Sequence, residues 1–204
     1  MESTHKRPSW DEYFMKIVEI VGSRGTCDRG RQGCVITRDK HILATGYAGS
    51  PIGISHCDDI GHEMHTVTHP DGSNSRHCIR TSHGEQNAIC QAARMGIALD
   101  GATLYCKMAP CYTCAKMIIN SGIARVVCEK DYHAARRSKE IFAEAGVQFK
   151  MLNNEVEVYA DMKANEPAAA DAAAVPHAPS ENIIKIKINE PKANNNILTA
   201  EMPL

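Results

Sequence analysis

His83–Cys128 reads HGEQNAICQAARMGIALDGATLYCKMAPCYTCAKMIINSGIARVVC. Its apolar spacing is helical from about His83 to Met95, where Gly96 ends it, and again from Cys111 to Asn120, where Gly122 does. Between and after them, Ala102-Thr103-Leu104-Tyr105-Cys106 and Arg125-Val126-Val127-Cys128 are apolar runs of strand length. Downstream, Ala134 to Ala145 is a third helix closed by Gly146, and Val147 to Leu152 a last strand. Strands alternating with helices of this length predict a largely parallel sheet covered on both faces. Upstream, Cys34-Val35-Ile36 and Ile42-Leu43-Ala44 are two strands joined by a tight turn at Asp39-Lys40, a hairpin that makes the sheet mixed. A first helix opens on the capping-box pair Ser9 and Glu12, with Trp10, Phe14, Ile17, Val18 and Val21 at helical spacing. The expected fold is α/β: a three-layer α/β/α sandwich on a mixed five-stranded sheet, within a domain spanning residues 1–162.

Two stretches stand apart. From Tyr47 to Arg80 Gly, Ser, Pro and Asp abound, and His56, His62, His65, His69 and His77 are five of the chain's 10 histidines. A stretch that long without periodicity is unusual in a compact domain unless it carries function. Residues 163–182 are rich in Ala and Pro and read as a linker. In the tail, 183–204, Ile184, Ile186 and Ile188 alternate with Lys185 and Lys187, a short strand candidate for a sheet edge or for adding to a neighbouring sheet.

The charge balance, 23 Lys+Arg against 24 Asp+Glu, argues against a nucleic-acid partner. No run approaches the length of a membrane span, and MESTHKRPSW carries no apolar leader. The expected compartment is therefore the reducing cytoplasm, where the 9 cysteines act as ligands or core fillers rather than as bridges. Cys34, Cys90, Cys106 and Cys128, inside apolar runs, read as small buried hydrophobes.

His83, Cys111 and Cys114 supply three zinc ligands, and Glu85 a carboxylate two residues from the histidine. Structural zinc sites usually close with four protein ligands, whereas catalytic ones keep a position for solvent. A CxxC alone also occurs in redox pairs and zinc knuckles. Combined with the upstream HxE and with Pro110, it becomes the H-x-E…P-C-x-x-C pattern of zinc nucleobase deaminases. In that chemistry zinc-bound water is the nucleophile and Glu85 shuttles its proton to the ring and the leaving amine. The competing reading is a zinc closed by a fourth Cys or His, with Glu85 an ordinary helix residue.

The runs Arg7-Pro-Ser-Trp-Asp-Glu-Tyr-Phe-Met, Thr45-Gly-Tyr-Ala-Gly-Ser-Pro-Ile-Gly, His83-Gly-Glu-Gln-Asn-Ala-Ile, Pro110-Cys-Tyr-Thr-Cys-Ala-Lys-Met-Ile-Ile-Asn and Asp131-Tyr-His resemble deoxycytidylate (dCMP) deaminases of bacteria and phages, in order, from about Arg7 to Leu152. The resemblance implies a cytidine-deaminase fold and conversion of dCMP to dUMP. It also implies a homo-oligomer, a hexamer, often controlled by dCTP and dTTP with Mg²⁺, in the cytoplasm (the host's, for a phage protein). By the same likeness Glu85 is the proton shuttle, the Gly84 backbone meets the pyrimidine carbonyl and Tyr132 contacts substrate. Ser23 and Arg24, after the first helix, are the candidates for the phosphate.

Some phage members hold a second, structural zinc, and Cys27 and Cys57 match two of its positions, with His77 or Cys78 to complete it and His56 in reserve. Three positions depart from the family: Gly84 for Ala, which implies added room beside the zinc; Ala48 for an Asn expected to bind the sugar; and Gln32 for Val. A changed pocket shifts substrate preference, so dCTP or a C5-substituted dCMP is an alternative substrate. A tRNA or polynucleotide deaminase and a non-catalytic nucleotide sensor are the further rivals; the first needs basic and stacking residues that 5% aromatics supply poorly.

Overall fold

A computed structural model describes residues 6–68, 74–153 and 155–157, all within one compact unit, Met1–Asn165. The linker and the isoleucine-rich strand candidate of the tail lie outside the described residues. Five helices and eight strands follow in order: α1 (Trp10–Gly22), β1 (Gly33–Arg38), β2 (His41–Tyr47), α2 (Cys57–Ile60), β3 (Met64–Thr68), β4 (Asn74–Cys78), α3 (Gly84–Met95), β5 (Thr103–Met108), α4 (Tyr112–Asn120), β6 (Arg125–Tyr132), α5 (Arg136–Glu144), β7 (Gln148–Met151) and the two-residue β8 (Val156–Glu157). None of the described helices is long and apolar enough to cross a membrane.

The main sheet runs β2-β1-β5-β6-β7, with β8 pairing the far end of β6. β5, β6 and β7 are parallel, as the alternating helices require, but β1 is antiparallel to both β2 and β5. The sheet is thus evenly mixed rather than largely parallel, because the opening hairpin enters beside β5. Asp39 and Lys40 both take positive φ, 51° and 66°, the geometry that lets a two-residue turn follow the twist of its strands.

Strand alternation sorts the core. Val35, Tyr105 and Val127 point to one face and pack against Phe14, Met15 and Val18 of α1. Their neighbours Cys34, Ile36, Leu104, Cys106, Val126 and Cys128 point to the other, under α3, α4 and α5. These buried thiols fill the core as the sequence suggested; Cys90 instead is exposed. Helix α1 begins with the expected capping box, Ser9 and Glu12 exchanging hydrogen bonds. Asp11 in its first turn accepts from both guanidinium nitrogens of Arg125 at 2.9 and 2.8 Å, from Lys150 Nζ at 2.7 Å and from the Tyr105 hydroxyl at 3.0 Å. One carboxylate thereby ties α1 to β5, β6 and β7.

The stretch without periodicity, Tyr47 to Arg80, holds real elements: α2 and the separate β3–β4 hairpin. Neither of these strands crosses the core, so no apolar alternation marks them in the sequence. On the other side of the sheet α3 presses directly on β2. A β-carbon on Gly46 would fall inside contact distance of the Gly84 carbonyl oxygen and the Ala88 nitrogen, so this approach requires glycine.

Candidate active site

The N-termini of α3 and α4 converge at the carboxyl ends of β5 and β6. His83 is the N-cap of α3 and Cys111 the N-cap of α4, with Cys114 one turn in. Two helix N-termini therefore face one point, and their dipoles favour thiolates there. His83 Nδ1 stands 3.6 Å from Cys111 Sγ and 3.4 Å from Cys114 Sγ. Tetrahedral zinc, with Zn–S of about 2.3 Å and Zn–N of about 2.0–2.1 Å, sets an N···S edge of about 3.6 Å. The spacing fits the metal. Among the described residues no fourth His, Cys, Asp or Glu joins this group, which leaves the coordination that a catalytic zinc needs rather than a closed structural one.

The Cys114 thiol, with help from His83, holds Cys111 down to about 4, and the hydrogen bond to Cys111 raises His83 to about 9. Glu85, only 8% exposed at the second position of α3, is outside the ligand group; burial raises its carboxyl above the ordinary range, against the pull of His83. Gln86 receives the His83 backbone N–H at 3.0 Å and fixes the turn that presents both residues.

Tyr132, at the end of β6, lines the same cleft as Glu85, His83 and Cys111. The cleft holds about 1240 Å³, above the roughly 300–1,000 Å³ typical of small-molecule sites. Ser23 and Arg24 do not line it: the Ser23 hydroxyl turns back to the Ile20 carbonyl at 2.7 Å, finishing α1. The cations that do are Arg29, Arg76, Lys107, Arg136 and Arg137. The Gly84 expectation is reversed as well. A methyl there would point at the Gln32 carbonyl (3.2 Å), the Gly46 carbonyl (3.3 Å) and Cys34 Cβ (3.5 Å), so its loss admits the sheet and adds no room beside the metal site.

A second cluster, Cys27, Cys57, His62 and Cys78, gathers four ligand atoms. Cys27 Sγ to His62 Nδ1 is 3.7 Å and Cys57 Sγ to Cys78 Sγ is 3.6 Å, against a tetrahedral S···S edge of about 3.8 Å for zinc. His62 Nε2 lies 2.9 Å from Asp28 Oδ1, the carboxylate partner that orients a ligating imidazole. Burial raises Cys57 to about 12; it raises Cys78 as well, but hydrogen bonds, first those of the Arg80 and Glu63 backbone, outweigh it and leave that thiol at about 7. His77 is not in the group. It precedes Cys78 on β4, and successive strand residues point to opposite faces. His56 instead meets the Thr26 hydroxyl at 3.1 Å. His62 was missed because nothing in the unpatterned loop distinguishes one histidine from the next; its placement five residues after Cys57, beyond the single turn of α2, was the available signal.

A mixed-sheet α/β/α sandwich with a three-ligand Cys/His centre and a buried, non-ligating carboxylate defines a zinc-dependent deaminase. Residues 8–130 match the family described as the cytidine and deoxycytidylate deaminase zinc-binding region. ComE operon protein 2 of Bacillus subtilis is 38% identical over 161 residues, covering 79% of this chain and 80% of its own. The deoxycytidylate deaminase of Saccharomyces cerevisiae is 36% identical over 147 residues, 72% of this chain but 46% of the yeast protein, so the chain spans under half of that relative. The dCMP deaminase of cyanophage S-TIM5, solved with dCMP and dUMP, superposes with a TM-score of 0.57 at 27% identity, covering 72% of this chain and 99% of the phage protein. The chain belongs to the cytidine and deoxycytidylate deaminase family.

Proposed function

We propose that the chain converts dCMP to dUMP and ammonia, with His83, Cys111 and Cys114 holding zinc and Glu85 moving the protons. The observation that carries this reading is the pair of N···S distances, 3.4 and 3.6 Å, beside a buried carboxylate that is not a ligand. When bound, zinc supplies a Lewis acid that lowers the pKa of water from about 15.7 toward 7. The chain's own residues do the rest. Glu85 takes one proton from the attacking water and leaves it on the ring nitrogen, then takes the second from the hydroxyl so formed on the ring carbon and gives it to the departing amine as the carbon–nitrogen bond breaks; its raised affinity for a proton suits a group that must hold one between steps. The Gly84 backbone meets the pyrimidine carbonyl and Tyr132 walls the ring. The cleft's arginines neutralise phosphate, the part first expected of Ser23 and Arg24. The solved relative that binds dCMP and dUMP supports this substrate. Glu85→Gln should cut ammonia release from dCMP by at least about 10²–10⁴-fold while zinc content and melting temperature hold. Loss of zinc with activity makes Glu85 a ligand and refutes the mechanism.

A second reading, dCTP in place of dCMP, draws on the five cations of the cleft, more than one phosphate monoester requires. Ammonia release compared across dCMP, dCTP, 5-methyl-dCMP, cytidine and a tRNA substrate separates these readings and the polynucleotide one. We also propose that Cys27, Cys57, Cys78 and His62 hold a structural zinc; three of them are the cysteines expected, and His62 stands in for His77. Assembly as a hexamer in the cytoplasm, and control by dCTP and dTTP with Mg²⁺, complete the proposal on the strength of the family resemblance.

A further inference from the structure

Gln32 immediately precedes β1, and its backbone is held on both sides. Its N–H donates to the Gly30 carbonyl at 2.6 Å, and its own carbonyl accepts from the Ala48 N–H at 2.8 Å. That carbonyl also abuts Gly84, the residue before Glu85. The side chain lines the cleft, where Nε2 reaches only the weak acceptor Met108 Sδ at 3.1 Å. Oε1 is buried, and among the described residues no donor meets it. A buried amide oxygen left unpaired costs about 1–3 kcal/mol. Val or Leu would line the wall without that penalty, so an orphan acceptor on a cleft-lining side chain points to a donor on the ligand.

Chemistry narrows which donor. A deoxycytidylate at neutral pH carries two kinds: the 4-amino group, which must lie at the metal centre to react, and the 3′-hydroxyl of the sugar. Its phosphate, ring nitrogen and carbonyl only accept. We infer that Gln32 positions the substrate by accepting a hydrogen bond from the sugar 3′-hydroxyl, in a wall where its neighbour Ala48 offers no polar side chain. This rests on the dCMP reading above. Because the backbone of Gln32 is already fixed and its amide leans only on the weak acceptor Met108 Sδ, a turn of the amide is all that is needed to present Oε1 when the sugar arrives.

The test is a cycle between protein and ligand. Steady-state turnover of dCMP and of 2′,3′-dideoxycytidine monophosphate is measured for wild type and for Gln32→Leu. The wild type should favour dCMP by about 5–150-fold in kcat/KM. Gln32→Leu should lose about tenfold on dCMP, carried by KM with kcat nearly kept, and should discriminate between the two nucleotides by less than about threefold. Its melting temperature should equal or exceed the wild type's, since an unpaired acceptor has gone; should Leu fail to fold, Gln32→Met supplies the same comparison. Equal discrimination in wild type and variant overturns the assignment, as does a Gln32-dependent preference for 5-hydroxymethyl-dCMP with the dideoxy ratio unmoved. A wild type that turns over no dCMP overturns the dCMP reading and this inference together; one that turns it over without needing Gln32 overturns this inference alone.

Discussion

Asp11→Asn removes the charge that ties the first helix to three strands while keeping the side chain's shape. Asp11 is 14% exposed and accepts both guanidinium nitrogens of Arg125, itself 27% exposed, along with Lys150 and the Tyr105 hydroxyl. An exposed ion pair contributes about 0–1 kcal/mol, whereas breaking a buried one costs about 3–5. Partial burial and bidentate geometry place the loss near 2 kcal/mol at pH 7. Urea unfolding of the zinc-loaded protein measures it as a fall in midpoint at constant slope. The pH dependence fixes the sign independently. Arg125 above all, then Lys150 and Tyr105, hold the Asp11 carboxyl well below its usual 3.8, against a smaller opposing effect of burial. The unfolded chain therefore binds this proton more readily than the folded one, and the stabilisation is present in full above 3.8 and is lost as the pH falls toward the depressed folded value. The wild-type advantage over Asp11→Asn should stay level from about pH 8 to 5 and shrink below about 4. A cost under about 0.5 kcal/mol at pH 7, or an advantage that grows in acid, shows that α1 is held by Phe14 and Val18 alone.

His62→Ala should lower bound zinc by one per chain, from near two toward one, and reduce the melting temperature, while His77→Ala leaves the metal count unchanged; mass spectrometry under native conditions reads both. Gly46→Ala forces a methyl against the Gly84 carbonyl and the Ala88 nitrogen, so α3 must lift from β2 at a cost of about 1–3 kcal/mol. The displaced turn carries Glu85, so ammonia release should fall with the melting temperature, and an unchanged melt shows that the contact yields easily.

The sequence made His83, Glu85, Cys111 and Cys114 legible because zinc chemistry demands donor types at spacings that local structure alone can satisfy: each pair sits at one helix N-terminus, and the capping geometry is short-range. The same locality made α1, the β1–β2 turn and the helix stops at Gly96, Gly122 and Gly146 readable. The failures are non-local. Which histidine joins Cys27, Cys57 and Cys78 depends on how a loop without periodicity lies across the sheet, and His62 rather than His77 is chosen by the facing of β4. The direction of the missing methyl at Gly84 depends on α3 lying against β1 and β2, so a substitution that reads as added space beside the metal site in one dimension eases contact with the sheet in three. Arg76 and Arg137 reach the cleft from a hairpin and a helix far apart in sequence, and no linear pattern joins them.

The two cysteine clusters are connected through the wall they share. Cys27 follows α1, Cys57 opens α2, His62 leads into β3 and Cys78 ends β4, so a metal there would join four points of chain that lie outside both apolar clusters of the described residues. Ile52, Ile54 and Ile60 in the same stretch are exposed rather than packed. Polar contacts also hold it: Gly49 and Ser82 exchange backbone hydrogen bonds at 3.2 and 3.0 Å, the Asp58 N–H donates to the Thr26 carbonyl at 3.2 Å, Arg31 pairs with Asp58 at 3.3 Å and Arg80 with Glu63 at 3.7 Å. Arg29 lies two residues after Cys27 and Arg76 two before Cys78, and Arg29 donates to the Arg76 carbonyl at 3.2 Å. Ligation of Cys27 and Cys78 by one ion would thus hold the backbone that carries both arginines against the cleft. On the proposed reading, metal binding during folding would then meet the ordering cost of the phosphate wall instead of each substrate molecule meeting it, and removing that metal should raise KM for the nucleotide.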